Sequence, residues 1–318
     1  MDAGPPSDAA LLARLRHRLD PSLLRLRLGI ESEGEQPVFG HGRSFPFLER
    51  MVSFETAVRW LLKATLLYER GRRNALRVGV TRNVLRLPRL PAAFEGYTVL
   101  QISDPHLDAS PLFPDLLADR VSQLDYDLCV LTGDFRYRTA GSMQPALAGL
   151  ARLRRQLRGP VYGVLGNHDS IHMAPAIEDM GIQLLLNESV ALHRGDDVLY
   201  LAGVDDPHYF RTDDLARACR HIPADACALL LAHSPEIFRQ AAHAGFDAML
   251  CGHTHGGQIR LPGGIALTLN ANCPRRVCSG GWQHAQLQGY TSVGAGSSVL
   301  DVRFNCPPEV VLHRLVRG

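Results

Sequence analysis

From residue 94 onward the apolar positions fall into short, nearly unbroken runs. Most of these runs stop at a residue able to bind a metal ion or carry a proton. Residues 97–102, 126–131 and 161–165 are too short for helices and are apolar on successive rather than alternate positions, the pattern of strands buried on both faces. Between them, residues 112–124 and 145–157 place apolar side chains at helical spacing. Strand, helix, strand, helix, strand predicts a parallel sheet joined by right-handed crossovers. Residues 198–203, 227–232 and 248–251 repeat the strand pattern, and residues 290–293, 298–302 and 310–315 predict further strands in the tail.

The first ninety or so residues read differently. Residues 1–50 are rich in arginine, leucine and proline; residues 11–15 and 23–26 predict short helices, whereas 34–37 and 40–42 read as loop. The apolar stretch of a secretory signal is lacking. Ser53 heads an amphipathic helix running towards Arg72, with Phe54, Val58, Leu61, Leu62 and Tyr68 as its apolar positions. Arg59 and Lys63 interrupt it, and it is too short to span a bilayer. Packing against the main domain is the commoner use of such a helix; Trp60 and the arginines leave open a helix lying in a membrane interface, or a lid over a cleft. The expected organisation is an N-terminal extension over residues 1–93, with the amphipathic helix around 53–73, and a second domain over 94–318.

Composition changes this picture little. A hydrophobic fraction of 46% supports a sizeable core, and a net charge of +2 does not suggest a nucleic-acid partner. Lys63 is the only lysine. The seven cysteines are an odd number scattered over a long chain, which predicts reduced thiols rather than a disulfide framework. Cys273, Cys278 and Cys306 lack a C-x-x-C pair and read as packing residues, not a zinc site.

The ends of the apolar runs carry the chemistry. They are Asp104-Pro105-His106, Gly133-Asp134, Gly166-Asn167-His168-Asp169, Ala232-His233-Ser234 and Gly252-His253-Thr254-His255-Gly256-Gly257. Open α/β sheets gather their ligands just past the carboxyl ends of strands. Asp104, His106, Asp134, Asn167, His233, His253 and His255 offer oxygen and nitrogen and no sulfur, a donor set that suits Mn, Fe or Zn. Seven donors are too many for one ion and about right for two divalent ions sharing a carboxylate. His253 and His255 would share a direction on a regular strand; on a glycine-bounded turn they could lean towards two neighbouring points. His168, beside a ligand but not needed as one, is placed to protonate a leaving oxygen.

The order D-x-H, G-D, G-N-H-D, H and G-H-x-H resembles the calcineurin-like metallophosphoesterase superfamily over about residues 94 to 315. The resemblance implies a four-layer α/β/β/α sandwich, here with an N-terminal helical extension. It implies one metal held by Asp104, His106, Asp134 and His255, a second held by Asp134, Asn167, His233 and His253, and His168 as the catalytic histidine. Gly203-Val204-Asp205-Asp206-Pro207, His233-Ser234-Pro235 and the run from Gly252 to Pro262 resemble the bacterial phosphodiesterase branch. That branch includes membrane-anchored or exported enzymes and a diphosphatase acting on UDP-diacylglucosamine in lipid A synthesis. Leu165 stands where protein Ser/Thr phosphatases carry an arginine before G-N-H. The implied activity is hydrolysis of a phosphodiester or pyrophosphate bond by a metal-bridging hydroxide, on a lipid-linked or nucleotide-linked substrate. The expected partners are a phosphorylated small molecule or lipid and no nucleic acid, and the expected location is the cytoplasm, with peripheral membrane contact through the N-terminal helix left open. The competing reading is a scaffold or trafficking protein that keeps the fold without turnover. Loss of ligands would mark it, and all seven are in place.

Overall fold

The apolar runs form strands whose successive side chains enter two different cores. The computed structural model describes residues 8–15, 18–33, 51–266 and 268–318; the loop expected at 34–37 and 40–42, and the side chain of Phe54, lie outside the described residues. In chain order the elements are α1 (Asp8–Leu15), α2 (Pro21–Ser32), α3 (Met51–Ala64), α4 (Tyr68–Ala75), β1 (Gly79–Leu87), β2 (Thr98–Ile102) and α5 (Phe113–Ser122). There follow β3 (Leu128–Thr132), α6 (Gln144–Arg154), β4 (Val161–Val164), α7 (Ala174–Asp179), β5 (Gln183–Leu184), β6 (Glu188–Arg194) and β7 (Asp197–Gly203). The chain continues with α8 (Leu215–Cys219), β8 (Ala228–Leu231), α9 (Phe238–His243), β9 (Ala248–Cys251), β10 (Gly280–His284), β11 (Leu287–Thr291) and β12 (Glu309–Arg317).

Two six-stranded sheets result, ordered β1-β12-β2-β3-β4-β5 and β10-β11-β9-β8-β7-β6. The β2 to β5 strands are parallel, as the strand–helix alternation predicts, while β12 enters antiparallel to β2. The period-2 alternation of a strand explains the layering. Val99, Leu128, Val130 and Val164 of one sheet share a core with Leu199, Leu229, Leu231 and Leu250 of the other. The intervening Leu100, Ile102, Cys129 and Leu131 point the opposite way, against Leu117, Val121 and Leu150 of α5 and α6 and against Leu15 and Leu24 of α1 and α2. On the far side, Leu230 and Met249 meet Ala218, Phe238 and Ala242 of α8 and α9. The layers therefore run helix, sheet, sheet, helix.

Three details depart from the sequence reading. The expected helix from Ser53 to Arg72 is two helices, α3 and α4, because Leu66 adopts φ 59, a conformation a right-handed helix cannot contain. The break lets Tyr68 join Leu300 and Val302 in a small separate core. Residues 298–302 are not a strand. The side-chain amide of Gln258 donates to the carbonyls of Ser298 (3.0 Å) and Leu300 (2.6 Å) and accepts from Ser298 N (2.9 Å), satisfying backbone groups that a ladder would otherwise pair. Residues 79–87 form the edge strand of the first sheet, paired in parallel with β12. Among the described residues no helix is long and apolar enough to cross a membrane.

Candidate metal centre

Both sheets deliver residues to one place. The β2, β3 and β4 strands of the first sheet run out into Asp104, Asp134 and Asn167; β8 and β9 of the second run out into His233 and His253. Five of the seven candidate ligands turn sharply there: Asp104, His106, Asp134, His253 and His255 all have φ between 43 and 69. Each such residue costs about 1–2 kcal/mol relative to ordinary backbone, and a cluster of them marks a place where the surrounding fold imposes geometry. Two glycines make the approach possible. A Cβ at Gly166 would collide with the Asp134 carboxylate, and one at Gly252 with Ser103 and Asp104. The G of G-N-H and the G of G-H-x-H are there because another strand's carboxylate occupies the space.

Asp134 sits at the middle. Its Oδ1 accepts from the backbone N–H of His168 (2.9 Å), while its Oδ2 faces three ring nitrogens: Nε2 of His233 at 3.3 Å, of His168 at 3.8 Å and of His106 at 3.9 Å. Each of these rings is fixed from behind. His106 Nδ1 donates to the carbonyl of Arg136 (2.6 Å), His168 Nδ1 to that of Tyr137 (2.7 Å) and His233 Nδ1 to that of Thr132 (2.8 Å). A carbonyl only accepts, so Nδ1 carries hydrogen and Nε2 is turned towards the carboxylate, the arrangement by which protein carbonyls orient metal-binding histidines.

The remaining donors divide into two groups. On one side His255 Nε2 lies 3.1 Å from His106 Nε2 and 3.5 Å from Asp104 Oδ1. On the other, His253 Nδ1 lies 3.2 Å from His233 Nε2, which is itself 3.0 Å from Asn167 Oδ1. The two histidines of G-H-T-H thus lean to different points, and Asp134 stands between the groups. The backbone N–H of His253 donates to both oxygens of Asp104, at 3.0 and 3.1 Å.

All seven side chains are buried, and burial governs their protonation. It pushes Asp104 up to about 6 and His106 down to about 3, and it depresses His253 and His255. Burial alone would raise Asp134, but His233, His168 and His106 hold it well below the usual carboxylate range. Burial likewise opposes charge on His233, and the Asp134 carboxylate outweighs it, raising His233 to about 10. Two facing pairs of ring nitrogens at 3.1 and 3.2 Å, beside buried carboxylates and an amide oxygen, form a donor set that a divalent cation satisfies well. The residues fit such ions.

Several neighbours escape a motif reading. Arg303, fully buried, brings its Nη2 to 3.1 Å from His255 Nδ1 while donating to the carbonyl of Val293 (2.7 Å). His208 lies against His253 with ring centroids 4.0 Å apart and planes tilted by 44°, and its Nδ1 is 3.0 Å from Glu236 Oε1. The Nε2 atoms of His208 and His253 are both buried and find no hydrogen-bond partner among the described residues. His208 follows the Asp205-Asp206-Pro207 run, so its position was open to notice; Arg303 lies in the tail and carried no signal.

Residues 97–257 match the description of the calcineurin-like phosphoesterase family. The chain is 29% identical over 237 residues to the metallophosphoesterase YkoQ of Bacillus subtilis (strain 168), covering 71% of this chain and 86% of that protein. It is 33% identical over 192 residues to a bovine (Bos taurus) transmembrane protein with a metallophosphoesterase domain, covering 54% of this chain and 43% of that protein. It is 32% identical over 171 residues to the phosphodiesterase YaeI of Escherichia coli (strain K12), covering 49% of this chain and 58% of that protein. The match thus spans about half the length of the bovine and E. coli relatives.

Proposed function

The chain belongs to the calcineurin-like phosphoesterase family and is a hydrolase of phosphoric esters, and from that premise we propose that it cleaves a phosphodiester or pyrophosphate bond at a centre of two divalent ions. Asp104, His106, Asp134 and His255 would hold one ion; Asp134, Asn167, His233 and His253 would hold the other. The observation that carries this reading is the position of Asp134, whose Oδ2 faces His233, His168 and His106 and separates the two donor groups. When bound, ions of Mn, Fe or Zn supply Lewis acidity towards the phosphoryl group and towards a water molecule.

The protein's own part is orientation and proton handling. The Arg136 and Thr132 carbonyls fix the ring planes of His106 and His233. His168 keeps its Nδ1 hydrogen on Tyr137 and directs Nε2 inward, where the ring, when it carries a second proton on that atom, would pass it to the departing oxygen. Metal-stripped protein is expected to be inert towards bis-p-nitrophenyl phosphate and to regain turnover when Mn²⁺, Fe²⁺ or Zn²⁺ is restored. Protein that takes up two metal equivalents yet hydrolyses neither diester nor pyrophosphate would overturn the reading.

A lipid-linked substrate is the finer form of this proposal. The C-terminal half of α3 and the turn that follows it expose Trp60 (67%), Leu61 (62%) and Leu66 (87%), with Lys63 exposed on the same helix and Arg70 and Arg73 exposed on α4. Exposed apolar side chains accompanied by exposed cations suit an anionic bilayer surface. The double substitution Trp60→Glu/Leu61→Glu should abolish co-sedimentation with phosphatidylglycerol vesicles and leave turnover of a small soluble diester within about two-fold, since neither residue belongs to the centre. Undiminished co-sedimentation would remove the membrane from the proposal.

A further inference from the structure

One arginine of the N-terminal region does what surface-helix arginines rarely do. Arg27 lies on α2, a helix whose buried residues are Leu24 and Arg27, and it is 1% exposed. A guanidinium ordinarily keeps its head in water, and burying it is costly unless its charge is paired and its nitrogens find partners. Here Nη1 pairs with the Asp205 carboxylate, Nη2 donates to the carbonyl of Asp169 (2.7 Å), Nε donates to Glu31 Oε1 (3.1 Å), and the guanidinium lies 3.8 Å over the ring of Phe210. Glu31, one turn further on, accepts from Ser170 Oγ (2.6 Å) and from the backbone N–H of Ile171 (2.8 Å). Two residues of one helix therefore grip three consecutive residues, 169 to 171, and these directly follow Asn167 and His168.

The grip reaches the centre through Asp169. Its Oδ2 accepts from the N–H of Gly166 (2.9 Å) and its Oδ1 from that of Arg136 (3.2 Å), and Arg136 is the residue whose carbonyl orients His106. Asp205 is fixed in turn by its N–H to Asn187 Oδ1 (3.0 Å) and by the Thr212 hydroxyl (2.6 Å). Buried ion pairs are often replaced by apolar groups without loss of stability, so stability alone gives no reason to bury this one. Orientation does, because a planar fork and a carboxylate fix direction as well as distance.

We propose that Arg27 and Glu31 are positioning residues: they set the loop 166–171, and through it the aim of His168. The proposal rests on the reading of His168 as the group that protonates the leaving oxygen. The test uses the full chain with Glu31→Gln, Arg27→Lys and the charge-free pair Arg27→Met/Asp205→Asn. Amide hydrogen exchange at residues 166–171 is measured on metal-free protein. The kcat and KM are measured with two diesters, one releasing p-nitrophenol and one releasing a much poorer leaving group. Exchange at 166–171 should accelerate in every variant. The kcat should fall roughly 10- to 100-fold on the poor leaving group, the scale of a small misplacement of a catalytic group, and clearly less on p-nitrophenol, with KM within about two-fold. Arg27→Lys should fold without regaining kcat, since a point-charge ammonium does not reproduce the planar fork that holds Asp205 and the Asp169 carbonyl in fixed directions. A helix that only completes the core would lower the melting temperature and leave the leaving-group dependence unchanged; that outcome, or wild-type exchange and wild-type kcat, overturns the proposal. Should the Arg27 variants fail to fold, Glu31→Gln, which keeps the shape and the Arg27–Asp205 pair, decides. A wild-type protein inert towards every diester would count against the phosphoesterase reading alone, and the exchange measurement, which needs no turnover, would then judge the clasp by itself.

Discussion

Asp134→Asn should abolish turnover and weaken metal binding in both halves of the centre together. The substitution keeps the shape, and the amide oxygen can still accept from the His168 N–H as Oδ1 does now. What it removes is the negative oxygen facing three imidazole nitrogens, and it puts a donor in that place. No other group can compensate, because Asp104 lies with His255 and His106 on one side while Asn167 and His233 lie on the other. A loss of at least about 10³-fold in kcat is expected, since removing a single stabilising contact from a preorganised site already costs 10²–10³-fold. Metal content by elemental analysis alongside the steady-state rate provides the check. A variant that binds two ions normally and turns over like the wild type would remove the shared-carboxylate assignment.

His168→Ala should behave differently: metal retained, rate lost. The ring is held by the Tyr137 carbonyl through Nδ1, and its Nε2, 3.8 Å from the central carboxylate, belongs to neither of the facing pairs His106–His255 and His233–His253. Loss of a general acid usually costs 10²–10⁴-fold, and the cost should shrink with p-nitrophenol, which departs without help. Geometry alone would also allow a ligand here, since Asp134, His106 and His168 could together surround an ion. A His168→Ala protein that loses one metal equivalent would show that role instead, and the leaving-group dependence would then be flat.

The strands that carry the centre were legible because β2, β3, β4, β8 and β9 are buried on both faces, and such strands must be apolar at nearly every position. Strand β1 was not legible. Most of its residues are exposed or half-buried at the sheet edge, so Thr81, Arg82, Asn83 and Arg86 mask the pattern, and its partner lies far off, as the 230 residues between Asn83 and His313 illustrate. Residues 298–302 misled for the opposite reason. Leu300 and Val302 are apolar because they pack beneath Tyr68, while Gln258 bonds the backbone on either side of Val299. Apolar content reports burial, and burial does not require a ladder.

By itself the sequence determined which donors exist and that each follows a buried strand, because donor type and strand burial are local properties written in adjacent residues. Only the tertiary structure decided which donors share a space. His106 and His255 meet across 149 residues and His233 and Asn167 across 66, and no local period encodes a distance of that kind. It also decided that Asp104, His106, Asp134, His253 and His255 turn through left-handed backbone, a cost that residues of this kind bear only when packed neighbours impose it. And it placed Arg27, an arginine among many in an arginine-rich region, beneath the loop that follows His168. A buried guanidinium and an exposed one look alike in sequence; what differs is whether Asp205, Asp169 and Glu31 are there to receive it.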